Sequence, residues 1–119
     1  MKSYTDIEQS KKLAEFLPIE SADYCWGIDE KTLCFNNSPY PCPWKDYTVK
    51  QYYVPCWSLA ALLDVLPDEA DIVKGKVDVG DYKYMCTVCI KEEVITAFGN
   101  NLVDTCVDII IKLHKRKLL

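Results

Sequence analysis

Hydrophobic and polar residues change period several times along the chain, and each change marks an element. From Asp6 to Leu17, Ile7, Leu13, Ala14, Phe16 and Leu17 fall on one half of a helical wheel, with Glu8, Lys11, Lys12 and Glu15 on the other. Thr5 followed by Glu8 has the form of a capping box, and Pro18 closes the run. "DYCWGIDEKTLCFN" then shifts to a period of two, the pattern of a hairpin. A turn centred on Glu30-Lys31 pairs Ile28 with Leu33 and Trp26 with Phe35, which gathers the large apolar groups on one face. Cys25 and Cys34 become diagonal neighbours on the opposite face.

Prolines 39, 41 and 43 follow, a spacing that cannot join a ladder and favours extended loop backbone. A strand over Thr48 to Val54 leads out of that loop. In "PCWSLAALLDVLP", Leu59, Leu62, Leu63 and Leu66 form a helical stripe with Ala60, Ala61 and Asp64 behind it. Ser58 is the expected N-cap, Pro67 ends the helix, and Trp57 folds over its first turn like a hydrophobic staple. Residues 68 to 81 are polar and broken by Gly75 and Gly80, with a short strand expected at Lys76 to Val79. A second hairpin follows: strand Tyr82 to Ile90, turn Lys91 to Glu93, strand Val94 to Phe98.

The last element is a helix from Leu102 to Lys117, opened by Gly99-Asn100-Asn101. Its apolar arc takes in Leu102, Val103, Cys106, Val107, Ile109, Ile110, Ile111 and Leu113, roughly half the wheel and more than a one-sided surface helix needs. Either the helix packs on two sides or part of the arc, around Val107 and Ile111, faces a partner. The order α-β-β-β-α-β-β-α describes an α+β fold, read as one domain over 1–119 with antiparallel hairpins against three helices.

Composition narrows the function classes. Half of the 119 residues are apolar, enough for a core without staples. Asp and Glu outnumber Lys and Arg by 18 to 14, so no positive face is expected for duplex nucleic acid or an anionic membrane. The cations Lys112, Lys115, Arg116 and Lys117 sit in a final helical turn, where the helix dipole favours them. "MKSYTDIEQSKK" lacks the apolar core of a signal peptide and no apolar run reaches membrane-spanning length, so a cytoplasmic protein is expected. Seven cysteines, an odd number in a reducing compartment, read as free thiols rather than a disulfide framework.

Two of these stretches are familiar. "PCWSLAALLDVLP" resembles a Pro-x-Trp-Ser-Leu-x-x-Leu-Leu pattern, and "NNLVDTCVDIIIKLHKRKLL" resembles a closing Asn-Pro-x-Asp-x-Cys…Leu-His…Leu-Leu segment, of small proteins encoded by phages and integrated elements. "SKKLAEFLPIESAD" is similar to their opening segment; together these cover about two fifths of the chain. Leu102 stands where the pattern has proline, a departure that touches only the helix start. The resemblance implies a mobile-element origin; the group carries no established activity, so no functional residue transfers.

The candidate chemistries are weighed against plainer readings. Cys56 near a helix start has the setting of an activated thiol, but it needs a base, and His114 is the one histidine in the chain. "CTVC", Cys86 to Cys89, has redox or zinc spacing, yet in a strand residues three apart point to opposite faces. Cys25, Cys34, Cys42 and Cys56 are the remaining metal candidates, with spacings that match no zinc ribbon, so no metal and no cofactor are expected. Tyr52, Tyr53, Tyr82 and Tyr84 with Lys74, Lys76 and Lys83 would suit single-stranded nucleic acid, but tyrosines are ordinary strand residues and their neighbours are acidic. Tyr40, Trp44 and Tyr47, on proline-stiffened backbone, make the candidate recognition loop, with a covering flap as the plainer account. The balance favours a non-enzymatic interaction factor with a protein partner, self-association included, over a cysteine- or zinc-dependent enzyme or a single-strand binder.

Overall fold

The computed structural model describes residues 2–26, 33–35, 54–75 and 82–119. It is an α+β fold, with three helices and two three-stranded antiparallel sheets among the described residues. Contacts divide the chain into two units: Tyr4–Ala61, and Leu62–Leu119 together with Met1–Ser3.

In the first unit, helix α1 (Ile7–Ala14) starts one residue later than the sequence pattern suggests. Asp6, not Thr5, is the N-cap, and it forms the reciprocal capping box with Gln9. Thr-x-x-Glu and Asp-x-x-Gln overlap here; Thr5 is buried, which removes it from cap duty. After Pro18 a single 3₁₀ turn (Ile19–Ser21) leads into β1 (Tyr24–Trp26). β1 lies between β2 (Leu33–Phe35) and β3 (Val54–Cys56).

The β1–β2 register corrects the expected one. Trp26 pairs with Leu33, Cys25 with Cys34 and Tyr24 with Phe35, an offset of two residues. A two-residue slip keeps every side chain on its face, so alternation alone cannot detect it. Cys25 and Cys34 are therefore directly opposite rather than diagonal. Cys56, expected near a helix start, ends β3 three residues ahead of α2, and only the end of the expected 48–54 strand, Val54, lies within the described residues. α1 packs against β3.

Helix α2 (Leu59–Val65) is capped as expected, Ala61 N–H donating to Ser58 Oγ at 3.2 Å. Its buried side is the leucine stripe rotated toward Ala61 and away from Leu63. Ala61, Leu62 and Leu66 are buried, Leu59 is half-buried and Leu63 is 42 % exposed. Trp57 is fully buried, with its Nε1 donating to Ser21 Oγ.

The second unit holds β4 (Ala70–Lys74), β5 (Tyr84–Ile90), β6 (Glu93–Gly99) and α3 (Leu102–Lys115), with strand order β4-β5-β6. β4 lies in a stretch the sequence pattern left as polar connection; the short strand expected at 76–79 lies outside the described residues. Its apolar residues Ile72 and Val73 are adjacent, so the strand shows no period-two pattern. The two hairpins belong to separate sheets and do not share one.

β5 and β6 join through Lys91 and Glu92, both at positive φ (50° and 66°), with Ile90 paired to Glu93. A two-residue loop with both φ values positive is a type I′ turn, whose twist matches that of the strands. It is usually built from Asn and Gly, so Lys and Glu hold it against their own backbone preference. α3 packs on β5 and β6 and buries Val103, Thr105, Cys106, Val107, Ile109, Ile110 and Leu113, which accounts for the breadth of its apolar arc. A Cβ on Gly99 would run into Thr105 Oγ1, so glycine is what lets β6 turn directly into the helix. α3 ends in a Schellman motif. Lys117 N–H donates to the His114 carbonyl and Leu118 N–H to that of Leu113, with Lys117 at φ 58°.

Two non-glycine residues in left-handed backbone define a stability test. Glu92→Gly and Lys117→Gly are each expected to raise the unfolding free energy by roughly 0.5–1 kcal/mol, read as higher urea midpoints with unchanged slope. Unchanged or lowered midpoints would contradict the assigned turn and cap.

Candidate functional site

The thiol that drew attention in the sequence sits in a sealed polar network. Thr5 is its hub. Its Oγ1 lies 2.7 Å from Ser10 Oγ, accepts from Trp57 N–H at 3.2 Å, and is 3.5 Å from Cys56 Sγ. Thr5 N–H donates to the Trp57 carbonyl at 2.9 Å, and Cys56 Sγ donates to the Thr5 carbonyl at 3.4 Å. Ser10 also accepts from Trp26 Nε1, and Ser21 Oγ from Trp57 Nε1. Tyr4 extends the cluster through its ring contacts with Tyr24 and Trp26. Thr5, Ser10, Cys56 and Trp57 are all buried, so the network leaves the thiol no open side.

Burial pushes the Cys56 thiol above its ordinary value of 9.0; hydrogen bonds from Thr5 and Ser10 oppose this, and the nearby Asp23 charge reinforces it. A thiol that keeps its proton at neutral pH is a poor nucleophile. Asp23 has another task. It accepts from both the N–H and the hydroxyl of Ser58, which turns the Ser58 oxygen toward the first N–H groups of α2. His114 is exposed in the last turn of α3.

The other cysteines divide as strand geometry requires. On β5, Cys86 is buried and Cys89 exposed, on opposite faces, so "CTVC" presents no convergent pair. Burial raises the pKa of Cys86, with Asp71 adding to it, and pushes Cys106 up to about 12, with Cys86 adding to it. Cys25 is buried opposite Cys34 in the ladder, and Cys42 lies outside the described residues. Among the described residues no three His, Cys, Asp or Glu side chains gather as a metal site.

The candidate recognition loop of Tyr40, Trp44 and Tyr47 lies outside the described residues. Of the candidate interface on the last helix, Val107 is buried and Ile111 half-buried. Lys112, Lys115 and Arg116 border a cleft of about 310 Å³ with Val94, Ile95 and Thr96. Its cations are largely engaged: Lys112 with Asp108 at 3.3 Å, and Arg116 with Glu93 at 3.5 Å. Two cations and the carboxylates that pair with them leave little net field for an anion.

The surface that sequence reasoning missed is the sheet face turned away from α3. Cross-strand partners share a face, so Val73, Met85 and Phe98 form one row across all three strands of that sheet. Tyr82 stacks on Phe98 with ring centroids 5.7 Å apart, and Val94 on the same face is 66 % exposed. β5 and β6 carry apolar residues on both faces, and alternation cannot say which of two apolar faces a helix will cover. Compared with family models, curated proteins and solved structures, the chain matches none of them. Among the described residues no helix is long and apolar enough to cross a membrane.

Two outcomes follow for the thiols. Under native conditions an alkylating reagent should modify Cys89 ahead of Cys25, Cys56, Cys86 and Cys106, as read by mass spectrometry of labelled peptides; early labelling of Cys56 would contradict its sealed environment. Raised thiol pKa values also make stability depend on pH. Above about pH 9 the unfolded chain's thiols lose protons that the folded chain retains, so unfolding free energy holds below that point and falls as pH rises toward about 12, the value reached by Cys106. Cys106→Val should flatten this decline relative to wild type in urea titrations at stepped pH. Parallel curves for the two proteins would remove Cys106 as its source.

Proposed function

We propose that this chain is a non-enzymatic protein-binding factor, an accessory of a phage or integrated element acting in the cytoplasm, and that it holds its partner on the sheet face opposite α3. The row Val73–Met85–Phe98, extended by Tyr82 and Val94, carries this reading. Exposed apolar residues scattered singly need no explanation; a row that crosses three strands and adds a stacked tyrosine has the makeup of a binding face. Aromatic and methionine side chains are the types enriched at such faces, and Met85 adapts to irregular partner surfaces. The mobile-element origin rests on the likeness of the Pro55–Pro67 and C-terminal segments described above.

A photo-crosslinking residue at Val94, introduced in cells that carry the element, should yield a discrete adduct with another protein. The same residue at exposed Glu8 serves as control and should not. Phe98→Ser should abolish the adduct while the purified variant still melts cooperatively. Equal labelling from both positions, or none from Val94, would overturn the reading.

A further inference from the structure

The two edges of the β4-β5-β6 sheet are treated differently. Gly75 N–H donates to the Lys83 carbonyl at 2.9 Å, which sets the alternation: Val73 and Asp71 turn their main-chain groups toward β5, and Ala70, Ile72 and Lys74 turn theirs outward. At the far edge the same alternation turns the Thr96 carbonyl outward, and there Lys112 Nζ donates to it at 2.9 Å while Arg116 pairs with Glu93. Lysine on an edge is a common block to further pairing. β4 carries charges of its own, Asp71 and Lys74, but among the described residues no side chain is bonded to its outward main-chain groups. Asp71, Ile72, Val73 and Lys74 are all exposed, Ile72 by 37 % and Val73 by 47 %.

Deepening the interaction reading above, and resting on it, we propose that β4 pairs with the β4 of a second copy of this chain, antiparallel about a two-fold axis at Ile72. That register sets Ile72 against Ile72 of the other copy and Ala70 against Lys74. The Ala70 N–H already donates to the Pro67 carbonyl, so the pairing forms four main-chain bonds: two between the Ile72 residues and two from Lys74 N–H to the Ala70 carbonyl.

Charge selects both the partner and the direction. β4 is entered through Asp68 and Glu69 and leaves through Lys74, with Lys83 across from Gly75. An antiparallel copy brings the cationic Lys74 end of each strand toward the acidic Asp68–Glu69 turn of the other. Sliding the axis to residue 71 would put Asp71 directly against itself, and like charges directly opposite destabilise a pair. At Ile72 the two Asp71 side chains are diagonal instead, the one unfavourable contact, so the association is weak and concentration-dependent. The result is a single six-stranded sheet.

The test is sedimentation velocity over a wide concentration range on the full chain under reducing conditions, which keep Cys89 from linking copies. Wild type should shift from monomer to dimer. Lys74→Glu and Asp68→Lys should each weaken dimerisation roughly tenfold, since each turns two symmetric attractions into repulsions. An equimolar mixture of the two variants should regain it, because both contacts become attractive again. Asp71→Asn should tighten the dimer about twofold. A wild type that stays monomeric at every concentration overturns the inference and gives the edge to an extended segment of another protein, while a Val94 adduct would still stand. A dimer that ignores all three substitutions overturns it too and moves self-association to another surface.

Discussion

One buried hydroxyl governs the unit Tyr4–Ala61. Thr5 is fully buried, so its oxygen and main chain find partners within the protein, and an unpaired buried polar group costs on the order of 1–3 kcal/mol. Those partners come from two places: Ser10 on the adjoining α1, and, about fifty residues on, the consecutive Cys56 and Trp57 between β3 and α2. Ser10 passes the connection on to Trp26 in β1. Meeting the needs of one threonine therefore fixes where the first helix lies on the small sheet. It also explains why Cys56 is a structural thiol. A sulfur that completes such a network is held by it, protonated and out of reach.

The other unit depends on apolar contact instead. α3 supplies a broad buried arc, and β5 and β6 supply Cys86, Val88, Ile95 and Ala97 beneath it. Two thiols in this layer behave as small hydrophobes, with ionisation suppressed by burial. Gly99 lets strand and helix meet without a spacer, and Asn101 accepts the Asp104 N–H to start the helix there. The Schellman closure at Leu118 ties off the other end. On the sheet face opposite α3, Met85 and Phe98 are half-buried while Val73 and Val94 are exposed.

Much of this order was legible in the chain, and the failures have physical causes. Helix positions, the Ser58 cap, the second hairpin and the opposite faces of Cys86 and Cys89 follow from periodicity and turn chemistry, which act locally. The β1–β2 offset was invisible because two residues preserve face parity. Capping boxes at Thr5 and at Asp6 are equally good as patterns; burial of Thr5 decided between them. Leu63 reads as core on a wheel, yet a helix chooses its buried side from its neighbours, and here Ala61 took the place. β4 and the outer row were missed for a related reason. Their residues matter through what lies across the ladder, and a linear pattern holds no record of that.

The lysine at Thr96 has a consequence for how far any strand pairing can go. A sheet with two open edges can add copies indefinitely, which is how edge pairing leads to fibres. A sheet with one open edge can add only once. With Lys112 and Arg116 standing at the β6 side, pairing through β4 consumes the available edge and leaves two blocked ones facing outward. Growth stops at the first step, and two side chains from the end of α3 set the stoichiometry at which the sheet is finished.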